Sequence, residues 1–533
     1  MWAPDPHANW CLPQVLRRVA AESGDAPWIQ MVDGEPLSAA SCLARAEQTA
    51  AWLHAQGVSA GTHVGVMLGN SLALIDVWLA LGLLGAVHVA INPELEGKFL
   101  RHQLELCDVR LLIAERTALP ALRECAQRLP RLDSLWWVGE DADALAPGLP
   151  WRQGDFAQRW QPCAMPSWPS VSPGQIAMIM CTSGTTGPAK AVLMPHAHCY
   201  LFALGSIVHL GVDRSSVYYV VLPLFHANGL LMQVYASLVA GGRAVLRRRF
   251  SASAWRPELA RHGCTHTHVL GAIGAFLLAQ PEQPEDRVHA LRVIGAAPNP
   301  PALDEGLRRR YGVPEVVPMY GMTEVNIPLW GRLGEVRAGS CGRLWAEAFE
   351  LDILDPQSQR PVAAGQSGEI VVRPRIAHGF MAGYHRMPEQ TVEAWRGLWF
   401  HTGDSGRLAA DGHVEFLDRI KDCIRRRGEN LSSSVIEDLL SGHPAIAEVA
   451  AVAMPSPLPG GEDEVHLVIV PSADPALGAA ELAAIARQRL PRWAWPYAVS
   501  VVDALPKTPT GKPRKQALKA LQEWRERWIA STD

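Results

Sequence analysis

Helical segments and short apolar strands alternate over roughly the first 350 residues, and this alternation limits the folds open to the chain. Residues 38–55 are Ala-rich and helical, with Gly57 placed as a C-terminal cap. Apolar runs at 63–68 and 111–114 read as strands. Strands that alternate with helices predict parallel sheets covered by helices, which is the α/β class.

One apolar segment, residues 71–92, is long enough to raise the question of a membrane span. It contains Asp76 and His88, and Gly85 divides it. A charged residue at the centre of a spanning helix costs roughly 2.5–3.5 kcal/mol. We therefore predict a buried helix over 72–84 followed by a strand over 87–91, and no membrane span.

The length of 533 residues exceeds what one hydrophobic core fills, so two or more domains are expected. From residue 369 the pattern changes to short strands and Gly-rich turns, which predicts a β-rich subdomain. A boundary is expected near residue 418. The remaining residues suffice for a small α+β domain, whose first helix would open on a capping box of Ser434 and Glu437.

Composition bears on partners and compartment. The net charge of −4 gives no electrostatic reason to expect nucleic acid or an anionic membrane. Ten cysteines are scattered without a CxxC pair or zinc-ligand spacing, and the N-terminus lacks the pattern of a signal peptide. These features predict a cytoplasmic protein with reduced thiols.

A polar motif follows the apolar strand 176–180 directly: residues 182–190 read Thr-Ser-Gly-Thr-Thr-Gly-Pro-Ala-Lys. Hydroxyls and glycine amides in a tight turn can surround phosphate oxygens, and Lys190 adds a positive charge. An ordinary polar hairpin is the alternative. The motif is not a Walker A loop, because residues 191–194 continue as a strand rather than a helix.

At this loop the chain resembles the superfamily of acyl-CoA synthetases, nonribosomal adenylation domains and firefly luciferase. The resemblance continues in family order through residues 222–226, 295–298, 320–324, 368–370, 383–384, 402–404, 418–422, 427–430 and 506–512. It implies a large N-terminal domain of α/β subdomains plus a β-rich subdomain (1–418), a hinge (419–421) and a small mobile α+β C-terminal domain (422–533).

The implied activity is that of an ATP-dependent acyl-CoA ligase, which joins a small carboxylic acid to AMP and then transfers the acyl group to coenzyme A. ATP contacts carried over by position are Thr182, Ser183, Gly184, Thr185, Thr186, Gly187, Lys190, Gly295, Ala296, Ala297, Pro298, Tyr320, Gly321 and Thr323. The resemblance further implies that Glu324 holds Mg²⁺ and that Asp404 and Arg419 bind the ribose. A solvated Glu and a turn-forming Asp are the alternatives.

Four further roles are implied. Lys512 would stabilise the charge that develops as the carboxylate attacks the α-phosphate, whereas Lys515 and Lys519 read as surface lysines. Lys421 would be the hinge residue about which the C-terminal domain turns. Gly428 would line the tunnel for pantetheine. His226 would border the carboxylate as an aromatic gate, with a core histidine as the alternative.

Two departures from the family pattern stand out. The common loop ending Pro-Lys-Gly is Ala-Lys-Ala at 189–191, so a glycine beside the phosphates is lost. Pro318 and Met319 stand where an Asn or Gln usually precedes Tyr320, so the amide that usually recognises the adenine edge is missing.

Several alternatives remain open on sequence alone. The enzyme could load a carrier-protein thiol instead of CoA, could be a catalytically inactive nucleotide-binding protein, or could support oxidative light emission. A homodimer is compatible with the sequence. Residues 427–432 most resemble ligases of the crotonobetaine/carnitine and medium-chain or alicyclic acid type.

The walls of the acid pocket are expected from residues 226–231, 268–273 and 325–330. These segments are mostly apolar and contain no Lys, Arg or Asp. Their main polar groups are His226, Asn228, His268 and Asn326. They predict an uncharged acyl body, with the ring face of Trp330 as the one place that could hold a cation.

Overall fold

A computed structural model describes residues 5–129, 131–139, 146–182, 189–422, 424–426, 429–456, 463–472, 477–507, 513–521 and 524–530. Most of the N-terminal region folds into two large sheets. In spatial order, the strands of the first are Gly383–Tyr384, Lys190–Pro195, Ile176–Thr182, Val87–Ala90, His63–Met67, Leu111–Glu115, Ser134–Val138 and Arg152–Asp155. Those of the second are Arg343–Leu344, Asn326–Trp330, Glu315–Met322, Val293–Ala297, His266–Leu270, Val217–Val220, Arg243–Leu246, Pro27–Met31 and Leu37–Ser38.

Both large sheets are parallel in their centres, as the alternating pattern predicts; the first becomes antiparallel at one edge and the second at both. The α-helices are Leu12–Ser23, Ala39–Ala55, Leu72–Leu84, Gly97–Leu106, Leu119–Cys125, His196–Leu210, Ala227–Gly229, Ala236–Ala240, Ala252–His262, Gly271–Ala279, Pro301–Tyr311, Pro388–Ala394, Ser433–Leu440, Ala479–Arg489 and Lys515–Lys519. A π-helix spans Leu230–Tyr235.

Two helices lie between the large sheets, Leu72–Leu84 and His196–Leu210, and are buried on nearly all sides. Helices that are apolar all round need protein on every face, which explains this central position. Asp76 is buried in the first of them and forms ion pairs with Arg45 (2.6 Å) and Arg159 (3.3 Å). The prediction of core instead of membrane is confirmed, and among the described residues no helix is long and apolar enough to cross a membrane.

The β-rich subdomain is a four-stranded antiparallel sheet in the order Phe349–Leu354, Ser367–Pro374, Phe400–Leu408 and Val414–Arg419. Beyond it lie a two-stranded ribbon, Ile424–Arg426 and Glu429–Leu431, and a sheet in the order Ile446–Pro455, Asp463–Pro471, Ala498–Val501 and Glu526–Ile529. This last sheet and its helices have their own hydrophobic core. The predicted fold class, a large α/β domain with a β-rich subdomain and a small α+β domain, is confirmed.

The predicted capping box of Ser434 and Glu437 is wrong. The helix Ser433–Leu440 is capped by Ser432, whose hydroxyl accepts from the Val435 amide. Glu437 instead accepts from the Ala451 amide (2.8 Å) and pairs with Lys515 (2.8 Å). The prediction that Lys515 is a surface lysine is also wrong. Lys515 and Glu437 form an ion pair with each other, an interaction between residues far apart in the sequence.

Candidate active site

The motif residues of the second large sheet lie at the carboxyl ends of its parallel strands. The strand Val217–Val220 leads to His226, Val293–Ala297 ends at the adenine-turn motif, and Glu315–Met322 leads to Thr323. Carboxyl ends of parallel strands meet at one edge of a sheet, where loops can converge on a ligand. The fold therefore brings together three motifs that are far apart in the sequence.

The proposed phosphate loop joins two antiparallel strands of the first sheet. Thr182 and Lys190, which flank the motif, are cross-strand partners in this antiparallel pair. Of the predicted loop contacts, Ser183, Gly184, Thr185, Thr186 and Gly187 lie outside the described residues. The predicted strand after Lys190 is confirmed, running Lys190–Pro195.

Glu324, the predicted magnesium ligand, is held by a partner from the first sheet. Its Oε1 accepts a hydrogen bond from the Tyr384 hydroxyl (3.1 Å), and the Lys190 ammonium lies 4.5 Å from the centre of the Tyr384 ring. The carboxyl is 8% exposed, and burial raises its pKa. Lys190 and Arg419 act against that rise by favouring the carboxylate.

Asp404, the predicted ribose acceptor, belongs to a second charged group. Its Oδ2 accepts from the Tyr320 hydroxyl (2.6 Å), and its Oδ1 pairs with Nε of Arg419 (2.7 Å), its cross-strand partner. Burial and the neighbouring Asp404 carboxylate raise the pKa of Tyr320 well above its usual value, so this phenol remains a donor.

Arg419 links the two charged groups. Its guanidinium pairs with Asp404 and also acts electrostatically on Glu324 and Tyr384. The structure thus places Lys190 of the predicted phosphate motif together with the predicted magnesium and ribose residues in one polar cluster. We call it the nucleotide cluster: Lys190, Glu324, Tyr384, Asp404, Arg419 and Tyr320.

Two glycines of the predicted nucleotide motifs are required by close packing. A Cβ on Gly321 would lie 2.0 Å from the Asn326 carbonyl oxygen. A Cβ on Gly295 would lie 2.5 Å from the Met319 methyl and 2.8 Å from the His268 ring. Of the rest of the predicted adenine turn, Ala296 and Ala297 complete that strand, with Ala296 beside Pro318 in register, and Pro298 follows its end.

Thr323 rests on a buried histidine that the sequence analysis missed. The two ring nitrogens of His198 each lie 2.8 Å from a carbonyl oxygen, one of Thr323 and one of Gly379. His198 is fully buried, and burial lowers its pKa. It connects the central helix His196–Leu210 to the two loops that carry Thr323 and the strand of Tyr384.

We call the segment around His226, which is predicted to border the carboxylate, the acyl side of the site. The Leu222 carbonyl accepts from the buried Asn70 amide (3.0 Å), and the Leu224 amide donates back to Asn70 (2.9 Å), which fixes the segment to the first sheet. His226 is partly exposed and stacks at a tilt on Phe225. The surrounding protein desolvates His226 and lowers its pKa to about 4, so the ring is neutral at neutral pH.

Residues 325–330, which are predicted to line the acid pocket, are buried in this structure. Asn326 is fully buried and donates to the His198 carbonyl (2.9 Å). Trp330 is 1% exposed, stacks on His209 and packs against Gly205, so its ring cannot hold a substrate cation. These side chains complete the core beneath the site.

An open cavity of about 810 Å³ lies away from these motifs. It is lined by residues 56–63 and by the starts of the strands that begin at Leu111, Ser134 and Arg152. These are the amino ends of parallel strands, the edge of the first sheet opposite to Thr182. We therefore do not assign the nucleotide to this cavity.

Only some of the residues predicted to act in the C-terminal region are among the described residues. Lys512 and Gly428 lie outside the described residues, so their roles stay predictions. Lys421 accepts a hydrogen bond on its carbonyl from the Lys519 ammonium (3.2 Å), and burial lowers the pKa of the Lys421 side chain. The carboxylate of Asp418, just before the predicted hinge, accepts from the Ser433 amide (2.6 Å).

The sequence predicts no role for Tyr384, although the structure shows that its hydroxyl donates a hydrogen bond to Glu324. The position of Gly383 and Tyr384 in a family motif was the sequence feature that could have indicated one. His198 offered none, because a histidine in an apolar helix is indistinguishable in sequence from any satisfied core histidine.

The chain matches the family model described as AMP-binding enzyme over residues 16–385 and that described as AMP-binding enzyme C-terminal domain over residues 435–512. Among curated proteins, it is 33% identical to a sulfoacetate–CoA ligase of Cupriavidus necator, with 94% of this chain and 95% of that protein covered. It is 29% identical to a medium/long-chain-fatty-acid–CoA ligase of Mycobacterium marinum, with 86% of each covered.

A crotonobetaine/carnitine–CoA ligase of Salmonella paratyphi B is 30% identical, with 90% of this chain and 93% of that protein covered. Among solved structures, the anthranilate CoA ligase AuaEII in complex with anthranoyl-AMP has a TM-score of 0.85 at 23% identity, with 98% of both chains covered. ATP-bound MatB from Rhodopseudomonas palustris has a TM-score of 0.83 at 22% identity, with 95% of this chain and 98% of that chain covered. The chain belongs to the family of AMP-binding enzymes.

Proposed function

We propose that the protein is an ATP-dependent acyl-CoA ligase. The observation that carries this proposal is the nucleotide cluster, in which the buried Glu324 carboxylate near Lys190 and the buried Asp404 carboxylate paired with the exposed Arg419 are brought together from separate motifs. Relatives that cover most of the chain carry the name of CoA ligase. The three names differ in the acid, so they leave the acyl body open.

The reaction has two steps. A carboxylate oxygen attacks the α-phosphorus of ATP and displaces pyrophosphate, which gives acyl-AMP. The thiolate of CoA then attacks the acyl carbon, and AMP leaves with the carboxylate oxygen it gained. Thr182, Ser183, Gly184, Thr185, Thr186, Gly187, Lys190 and Thr323 would hold the phosphates, and Gly295, Ala296, Ala297, Pro298, Tyr320 and Gly321 the adenine.

Glu324 fits the demands of Mg²⁺. Magnesium in nucleotide sites is held by one or two carboxylates together with substrate phosphates, not by a cage of protein ligands. Among the described residues there is no cluster of three or more metal-ligating side chains, and the single hard carboxylate of Glu324 shares Tyr384 as a neighbour with Lys190 of the predicted phosphate motif. When bound, the ion would neutralise part of the negative charge of ATP.

The other residues act on binding and positioning. Asp404 would accept the ribose hydroxyls, with Arg419, its ion-pair partner, as the second contact. Lys512 would reach the developing negative charge during adenylation, and rotation about Lys421 would replace it with the CoA tunnel beside Gly428. The neutral His226 would shield the acyl carbon and move aside for the thiol.

A carrier-protein thiol is the second acceptor we keep, since the first step is common to both. We place the reaction in the cytoplasm; the nine described cysteines are all free thiols, which suits a reducing compartment. The test is a panel of carboxylic acids assayed for pyrophosphate release with and without CoA, then with a phosphopantetheinyl protein. We expect acid-dependent release and a CoA thioester. Thioester formed only on the carrier protein would favour the second acceptor, and no release with any acid would refute the proposal.

A further inference from the structure

A buried chain of hydrogen bonds supports Asn228, two residues after the gate histidine. The Asn228 Oδ1 lies 2.7 Å from Nδ1 of His268 and 3.2 Å from Nε2 of Gln233. His268 and Gln233 are both fully buried, while Asn228 is partly exposed. The network therefore runs from buried residues in the core to Asn228, which is accessible at the site.

The direction of these hydrogen bonds follows from backbone geometry. Nε2 of Gln233 also contacts the Asn228 backbone carbonyl (3.4 Å), which can only accept, so the Gln233 amide nitrogen faces Asn228. The Asn228 carboxamide oxygen must then be the atom that meets it. His268 donates from Nδ1 to the same oxygen and can accept at Nε2 from the Tyr218 hydroxyl, 3.5 Å away.

The carboxamide nitrogen of Asn228 is left as the outward-facing atom. Nδ2 makes no hydrogen bond to any residue that the structure describes. It is also not among the buried polar atoms that lack a hydrogen-bond partner. Two N–H donors thus face open space at the carboxyl edge of the second sheet. The His268 ring, which fixes this orientation, lies directly against Gly295 of the predicted adenine turn.

The acyl side of the site carries no charged side chain in the two segments that contain Asn228 and His268. Burial lowers the pKa of His268 to about 3, so the ring carries no charge at neutral pH. Residues 226–231 and 268–273 contain no Lys, Arg, Asp or Glu. A donor in an otherwise uncharged wall recognises an oxygen acceptor without demanding an anion.

We propose that Asn228 is a specificity-determining residue that donates a hydrogen bond to a neutral oxygen, such as a ketone, ether or hydroxyl, on the acyl body of the acid. The proposal rests on the proposed function, because it assigns the substrate class of the same ligase. A site built to donate a hydrogen bond disfavours an analogue that lacks the acceptor, since its polar group is then left unpaired.

The experiment compares medium-length alkanoates with analogues that carry a ketone at successive carbons, by kcat/KM for pyrophosphate release. Each ratio of oxo acid to plain acid is measured on one enzyme preparation, so the fraction of active protein cancels. For the best-placed ketone we expect a ratio of roughly 3 to 10 in the native enzyme, the worth of one neutral hydrogen bond. In Asn228→Ala the ratio should fall to about one.

Asn228→Asp is the second variant. Its carboxylate can still accept from His268 and Gln233, but it presents an acceptor where the native residue presents donors. The ratio should fall below one. A native enzyme without preference for any oxo acid, or a preference that persists in both variants, would overturn this inference while leaving the ligase intact. Absence of pyrophosphate release with every acid would overturn the proposed function, and this inference with it.

Discussion

The nucleotide cluster and the acyl side of the site are built from different kinds of interaction. Around Asp404 and Glu324, buried carboxylates are compensated by Arg419, Lys190 and two phenol donors. Around His226, the polar groups are neutral and bond to each other, as in the pair of Asn228 and His268. Glu324 and His226 both follow the carboxyl ends of parallel strands in the second sheet.

The difference corresponds to what each side would bind. ATP is the same in every turnover and highly charged, so fixed and compensated charges can be positioned for it in advance. The acid is the variable partner, and a neutral wall selects by shape and by single hydrogen bonds, which are weaker. We therefore expect substitutions on the nucleotide side to have large effects on every acid, and substitutions on the acyl side to have small effects that depend on the acid.

The largest expected effect lies on neither side but in the transfer step. Gly428→Leu should reduce thioester formation to background, because the side chain would fill the tunnel for pantetheine. Pyrophosphate exchange, measured on the same preparation, should be retained, and Gly428→Ala should be intermediate. If exchange and thioester formation fall together in Gly428→Leu, the tunnel assignment is wrong.

Lys512→Ala should lower adenylation by roughly 10² to 10³-fold, the usual worth of one preorganised charge donor. Thioester formation from supplied acyl-AMP should change far less, because the proposed rotation of the C-terminal domain would by then have turned the lysine away. Lys507→Ala is the control, since Lys507 makes a half-exposed ion pair with Glu448 (2.7 Å) and such pairs contribute little. Equal loss in both half-reactions would remove Lys512 from the adenylation step.

Asp404→Asn tests the charged side directly. It removes the charge that Arg419 compensates, and kcat/KM for ATP should fall by about 10 to 10²-fold, the worth of a hydrogen bond to a charged group. The loss should be the same for every acid. Asp411→Asn, in an exposed pair with Arg337 (2.9 Å), is the control and should change kcat/KM by less than about threefold. A loss that depends on the acid would contradict the separation of the two sides.

The neutral side predicts a preference among acids. Neutral aliphatic or alicyclic acids should exceed charged analogues of similar size, including carnitine-like cations, by about tenfold or more in kcat/KM, because a fixed charge would enter unpaired. Competition in the pyrophosphate-release assay measures this ratio. A quaternary-ammonium acid that exceeds its neutral isostere would show that a compensating group lies elsewhere.

The smallest effect concerns pH. Burial lowers the pKa of His226 to about 4 and that of His268 to about 3, so kcat/KM for the acid should change by less than about twofold between pH 8 and 6 from these groups. The ordinary pKa of a histidine is about 6.5, so between this pH and the lowered values these histidines bind more protons in the unfolded chain than in the folded one. The free energy of unfolding should therefore decrease as the pH falls through this range. A titration near pH 6.5 that disappears in His226→Asn would contradict the neutral assignment.

The local elements were largely predictable from sequence. The helix Leu72–Leu84 follows from an apolar run between the cap residue Ser71 and Gly85, and the strand before the phosphate loop from its apolar run. The roles of Glu324 and Asp404 were predicted from the resemblance of motifs in family order, and the structure places both residues in one cluster. Their assignment to ATP stays a prediction.

Tertiary partners were not predictable, because they depend on which strands become neighbours. Asn326 and Trp330 have the composition of a pocket wall but pack into the core. Lys515 has the sequence context of a surface lysine but pairs with Glu437. His198 supports Thr323 from a helix more than 100 residues away in the chain, which no local pattern could indicate.

The central claim is that the carboxylate attacks the α-phosphate of ATP at the nucleotide cluster. Its most direct test is a reaction with carboxylate labelled with ¹⁸O, ATP and CoA, followed by mass analysis of the products. The account predicts one labelled oxygen in AMP for each thioester formed and none in pyrophosphate. Label in inorganic phosphate, or AMP without label, would contradict it, since the acyl group would then have been activated by another route.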